Sequence, residues 1–181
     1  ALLDEGKDVA FLTLGDPTVY STCWYVVKRV AARGYETELV PGVPSFCAAA
    51  AALGRTMTAA AYLASWLKED ASSLSVSVAG DGAGGKIGVC SDGGLNVRGF
   101  IEHPGVELPP RADGKLDVGG CVGRSGTLTV IRDDGEGIPF VGTSELVSGE
   151  IAEDFSAYFL TSEQRPTAIA LGVKIAPDGT C

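Results

Sequence analysis

Two loops in this chain have the chemistry of a ligand cradle. Leu14-Gly15-Asp16-Pro17 closes the mostly apolar run from Asp8 to Leu14. Val40-Pro41-Gly42-Val43-Pro44-Ser45 closes the alternating stretch from Glu36 to Val40. Each loop stands where a strand pattern ends and a helix pattern begins. In an open α/β sheet, ligands bind at the strands' carboxyl ends, and the free N–H groups of a helix N-terminus attract their anionic parts. The same residue types also make good turns, and spacing alone favours the turn.

The other reactive residues form no such arrangement. Glu150 could share a helix face with Glu153 or Asp154 as a carboxylate pair. No histidine or metal-ligand spacing accompanies them, so a solvated first helical turn is the expectation. Gly80-Asp81-Gly82-Ala83-Gly84-Gly85 has the glycine content of a phosphate loop. No Lys-Ser/Thr follows it in order and no helix starts after it, so it reads as a long hairpin loop. His103, the only histidine, precedes Pro104 and reads as a surface residue. The five cysteines, Cys23, Cys47, Cys90, Cys121 and Cys181, include no C-x-C or C-x-x-C pair. Zinc is therefore not expected, and the first four cysteines read as buried small hydrophobes. No catalytic residue and no metal ligand is assigned.

The elements that would position these residues can be read from periodicity. Asp8–Leu14, a helix over Val19–Gly34 and Glu36–Val40 form a β-α-β unit. Pro44–Asp70 is the longest helical pattern, with Phe46, Ala50, Leu53, Met57, Ala61, Ala64 and Leu67 on one face. From Leu74 the period changes to two, and strands are expected at 74–78, 87–90, 96–102, 127–131 and 140–146. Residues 103–120 read as a long irregular stretch, Ser148–Gln164 as a late helix and Ala168–Ile175 as a final strand. The expected fold is α+β. It comprises an N-terminal β-α-β unit, a long central helix, then a mostly antiparallel sheet with one late helix.

Composition narrows the function classes. The chain has 181 residues and a net charge of −9, with 14 basic against 23 acidic side chains. Residues before Gly54 carry 6 acids and 4 bases, and those after it 17 and 10, so neither part is basic. A nucleic-acid surface is not expected. No segment reaches the ~18 apolar residues of a membrane span, and no signal peptide is legible. An odd cysteine count then fits a reducing, cytoplasmic setting. The first residues read as the end of a helix and the last as a turn, so both ends look cut from something longer.

The stretch from Gly6 to Gly54 carries LTLGDP, then Tyr20-Ser21-Thr22, then VPGVPSFCAAA. It resembles the tetrapyrrole methylases, and in particular the precorrin-2 C(20)-methyltransferases of cobalamin synthesis. The resemblance implies S-adenosylmethionine held between two α/β domains, with Gly15, Asp16, Tyr20, Ser21, Thr22, Pro41 and Gly42 lining the cofactor side. It covers residues 1–54 only. A donor held on one side lacks the positioning that methyl transfer requires, so no methyltransferase activity is expected.

From Leu53 onward a second family is visible. LGRTMTAAAYLASWLKEDASSLSVSV, Gly114-Lys115-Leu116-Asp117-Val118-Gly119-Gly120 and SGEIAEDFSAYFLTSEQRPTAIALGV resemble the N-terminal domain of the heat shock protein 33 family of redox-regulated chaperones. This resemblance implies a holdase that binds unfolded polypeptides, here without the zinc-cysteine switch. The expected division is a partial methylase-like segment at 1–54 and a chaperone-like domain at 55–181. A methyltransferase fragment is the alternative, and a hybrid without activity is the third reading. Unpaired sheet edges would invite homo-oligomers. The Pro44–Asp70 helix would be the seam, its first half covering a parallel strand pair and its second half the chaperone-like sheet.

Overall fold

The computed structural model describes residues 3–5, 9, 23–37, 47–109, 111–112, 115–135 and 137–172. The chain divides into two compact units, Ala1–Pro44 with Ile175–Thr180, and Ser45–Lys174 with Cys181. In the first unit a short 3₁₀ turn, Leu3–Glu5, and helix α1, Cys23–Ala31, are described. Lys28 and Arg29 occupy the last turn of α1, where they complement the helix dipole. Gly34 follows at φ +85°, a conformation glycine adopts freely. The Tyr35 hydroxyl donates to the Asp4 carboxylate. The strands expected on either side of α1 lie mostly outside the described residues.

The second unit is two layers. Its sheet contains β1 (Ser73–Gly80), β2 (Ile87–Asp92), β3 (Arg98–Ile101), β4 (Gly126–Asp133) and β5 (Phe140–Glu145). Their spatial order is β3-β2-β1-β4-β5, and every neighbouring pair is antiparallel. This is the mostly antiparallel sheet expected from the period of two. In β1, Leu74, Val76 and Val78 point inward and Ser75 and Ser77 outward, as the alternation dictates. In register, Val76 lies between Val89 and Val130, and Val78 between Ile87 and Leu128.

Helix α2, Cys47–Ala64, covers β1, β2 and β3. Its alanines do more than favour a helix. Ala48, Ala49, Ala51, Ala52, Ala59 and Ala60 are buried in the same core as the sheet's inward valines. Small side chains let the helix backbone lie close to the strands. Both halves of α2 therefore contribute to the core under the antiparallel sheet, and the parallel strand pair expected under its first half lies mostly outside the described residues. The helix also ends before Asp70. The Trp66 and Leu67 N–H groups bond three residues back, to Leu63 and Ala64, and this tighter turn closes the helix. There Trp66 meets Tyr62 and Phe159 edge to face, at 5.2 and 5.5 Å between ring centroids.

Helix α3, Val118–Val122, forms where an irregular stretch was expected. Two glycines hide it in the sequence. Asp117 caps it, accepting from the Gly120 N–H at 2.9 Å, and Val118, Cys121 and Val122 are buried. The glycine string of the β1–β2 loop packs directly on α3. The Gly82 N–H donates to the Val122 carbonyl and the Gly84 N–H to the Cys121 carbonyl. A Cβ on Gly82 would stand 2.4 Å from the Cys121 carbonyl oxygen and from the Gly123 nitrogen.

Helix α4, Ala152–Thr161, covers β4 and β5 and is shorter than the expected Ser148–Gln164. Tyr158 is fully buried beside Gly142 of β5, where a Cβ would come within 2.7 Å of its oxygen. The Tyr158 hydroxyl donates to Glu163 at 2.7 Å, and Arg132 pairs with Glu163 at 3.1 Å. Burial, and then the Glu163 contact, push the phenol's pKa far above its ordinary value. The final strand expected at 168–175 is absent over 168–172, and the rest of it lies outside the described residues. No described strand pairs with this segment, and Ile169 and Leu171 pack on the core instead.

Two outcomes follow from this packing. Gly82→Ala forces a methyl group into backbone atoms and should cost about 1–3 kcal/mol in urea unfolding, with the slope unchanged. The folded protein keeps the Tyr158 proton, whereas the unfolded chain releases it near the ordinary value of 10.0. The contribution of Tyr158 is thus full below that pH and is lost as pH rises past it. Tyr158→Phe should show a shallower loss of stability on the alkaline side than the parent chain, measured by denaturant titration at several pH values.

Candidate functional site

The inner face of the sheet is closed by α2, α3 and α4, so the functional question concerns the outer face. Inward positions repeat every second residue, and those between them line this outer surface. The register sets them in rows across the strands. One row runs Arg98, Cys90, Ser75, Ile131 and Val141. The next runs Phe100, Gly88, Ser77, Thr129 and Thr143. Phe100 is 58 % exposed, Val141 58 % and Ile131 39 %. Between them stand small hydroxyl side chains and one glycine. Phe100 rests on Gly88, where a Cβ would be 2.5 Å from the ring. The Thr129 and Thr143 hydroxyls lie 3.4 Å apart across the ladder.

Apart from Arg98 on the edge strand β3, charge on this face is confined to its borders at the strand ends. Asp92 and Asp133 flank Ser73 at one end of the strands, and Glu145 lies beyond Thr127 at the other. Asn96 hydrogen bonds hold the Asp92 carboxyl below its usual pKa range, so it stays ionised. The result is a strip of mixed apolar and hydroxyl character that nothing among the described residues covers. Such a strip offers dehydration energy to a segment that packs on it.

Cys90, read from its neighbours as a buried residue, is exposed in this strip and lies 3.7 Å from the Ser75 hydroxyl. Period two places it outward, because Val89 and Ser91 on either side of it point in. Cys47 and Cys121 are buried as expected, and burial raises the Cys121 thiol pKa. Among the described residues no group of three or more His, Cys, Asp or Glu side chains could hold a metal ion. The glycine string is no phosphate cradle. Its Asp81, Gly82 and Gly84 N–H groups are spent on the carbonyls of Ser125, Val122 and Cys121. His103 is exposed, and its N–H donates to the Gly84 carbonyl.

Of the three late acids Glu153 is exposed, as expected of a solvated turn, but Glu150 and Asp154 are not. Asp154 is fully buried and accepts four backbone N–H groups. One oxygen takes Val147, Ser148 and Gly149 at 2.7, 3.0 and 3.2 Å, and the other takes Ile151 at 2.9 Å. It thereby closes the turn before α4 and holds Ile151 at φ +65°, a strained value for a β-branched residue. Glu150 bridges Arg55 of α2 at 2.8 Å and Arg111 at 3.1 Å. Gly119 lies beneath it, where a Cβ would be 3.4 Å from its oxygen. Glu150 and Asp154 thus anchor α4, and the carboxylate pair serves structure. Gly15, Asp16, Tyr20, Ser21, Thr22, Pro41 and Gly42, the expected cofactor-side residues, all lie outside the described residues.

The second unit is thus an α+β fold with its helices on one face of a five-stranded antiparallel sheet. Known proteins share it. The profile of the Hsp33 protein family matches residues 46–181, and the chain belongs to that family. The 33 kDa chaperonin of Synechocystis is 52 % identical over 133 residues, covering 72 % of this chain and 43 % of that protein. The 33 kDa chaperonin of Acaryochloris marina is 53 % identical, covering 72 % of this chain and 44 % of that protein. The crystal structure of the 33 kDa chaperonin of Thermotoga maritima superposes with a TM-score of 0.69 at 41 % identity, covering 74 % of this chain and 46 % of that one. The chain therefore spans less than half the length of these relatives. A second profile, that of the tetrapyrrole (corrin/porphyrin) methylases, matches residues 1–81. No helix among the described residues is long and apolar enough to cross a membrane.

The structural role of the Asp154 carboxylate can be tested directly. Asp154→Ala leaves four N–H groups without their acceptor and should destabilise the second unit by on the order of 3 kcal/mol in denaturant unfolding. Glu153→Ala, which removes an exposed neighbour on the same turn, should change stability by less than about 0.5 kcal/mol.

Proposed function

We propose that the second unit is a holdase domain, binding non-native polypeptide and keeping it from aggregating. The observation that carries this is the uncovered strip of the sheet, with Phe100, Ile131 and Val141 exposed among serines and threonines. Family membership supports it, since the relatives of known name are 33 kDa chaperonins. Contacts on this strip would be mainly dispersion and dehydration, which are non-directional, so many sequences can satisfy them. An aqueous, cytoplasmic setting fits this reading.

A second reading applies to the first segment alone. The methylase profile over residues 1–81 supports a fragment derived from an S-adenosylmethionine-dependent methyltransferase of the precorrin-2 type. Residual cofactor contact would fall to Gly15, Asp16, Tyr20, Ser21, Thr22, Pro41 and Gly42. Calorimetric titration with S-adenosylmethionine tests it, and a flat titration at high protein concentration removes it.

For the chaperone reading, light scattering of a heat-denatured client should fall as the chain is added. Ile131→Glu and Val141→Glu should each weaken the suppression several-fold while leaving the melting temperature within about 2 °C, because both side chains face solvent. Unchanged scattering at a several-fold molar excess would overturn the reading.

A further inference from the structure

The borders of the open strip carry unequal charge. Along the side where β1 starts stand Asp92 and Asp133. Along the opposite side stands Glu145, with Glu102 and Lys86 continuing the β2–β3 pairing just past the ladder. Arg98 is the remaining charge on this face. Four carboxylates therefore face two basic groups, on a chain whose net charge is −9. The strip itself is uncharged between Phe100 on β3 and Ile131 on β4. Those strands are three positions apart in the sheet, which is ~14 Å at ~4.8 Å per strand. An extended chain covers that distance in roughly four residues at ~3.3 Å each. A bound segment lying along the strip would run between two acidic borders. Long basic side chains alternating with its apolar ones could reach those borders with their stems still on the strip.

We propose that this face selects extended segments whose apolar side chains recur about every four residues and are interspersed with lysine or arginine, and that it discriminates against acidic segments of the same apolar content. The proposal rests on the holdase reading and adds its selectivity. Border charges of this kind act mainly through steering and exclusion of wrong partners, and salt screens them.

The test uses the full chain and two fluorescein-labelled peptides. Both carry the same Ile and Phe anchors about four residues apart. One has lysines between the anchors and the other has glutamates. By fluorescence anisotropy at low salt, the lysine peptide should bind about fivefold or more tightly, and the preference should fall toward equality near ~1 M salt. The double variant Asp133→Asn, Glu145→Gln keeps hydrogen-bonding capacity, including the Asp133 acceptor for the Gly135 N–H. It should lose about half of the preference, in logarithmic terms, with an unchanged thermal melt. Equal affinity for both peptides, or a preference that survives the double variant intact, overturns the proposal. If client aggregation is suppressed but neither peptide binds, this selectivity fails and the holdase reading stands. If the preference is seen without suppression, the holdase reading fails and the charge-selective surface remains.

Discussion

The alternation of β1 is the constraint on which the rest depends. Leu74, Val76 and Val78 face one way, and Ser73, Ser75 and Ser77 the other. A slip of one residue would exchange these faces, placing serines under α2 and valines in water. With both neighbours of β1 antiparallel, its register fixes those of β2 and β4, and through them the edges. The same alternation that makes a dry core under the alanines of α2 therefore makes the uncovered strip on the other side. Core and candidate surface come from one pattern.

A layer this thin needs its helices pinned. Much of the core contact of α2 comes from alanines, which bury little area each and hold the helix mainly by allowing close approach. Polar connections supplement them. Glu150 joins α2, through Arg55, to the start of α4, and Asp154 gathers the backbone that leads into α4. At the other end of α4, Tyr158, Glu163 and Arg132 link the helix to β4. Of these groups Asp154 is fully buried, and its four N–H partners offset the cost of burying it. Acids that read in isolation as surface chemistry serve to close the fold.

The join between the two kinds of sequence gains a physical meaning. The methylase and Hsp33 profiles overlap on residues 46–81, which hold α2 and β1. An alanine-rich helix makes few demands on a particular partner shape, so a single sequence can satisfy two family patterns. The compact units nevertheless divide at Pro44, ten residues before the change expected at Gly54, because one face of α2 along its whole length is buried with the antiparallel sheet.

What the sequence determined by itself was periodic or compositional. The strand alternation, the long alanine helix, the late helix, the absence of close-spaced cysteines and the resemblance to the Hsp33 family were all legible, because each is written in neighbouring residues. What the tertiary structure decided depended on approach between distant segments. Helix α3 exists because Asp117 caps it and the β1–β2 glycines admit it, which no local propensity for Val118-Gly119-Gly120 could show. Cys90 is exposed because of its parity in β2, although its neighbours are small and apolar. The roles of Glu150 and Asp154, one bridging arginines 55 and 111, the other collecting four N–H groups, arise only when α4 docks. Local sequence fixes period and cap chemistry, whereas burial is a property of what arrives from elsewhere in the chain.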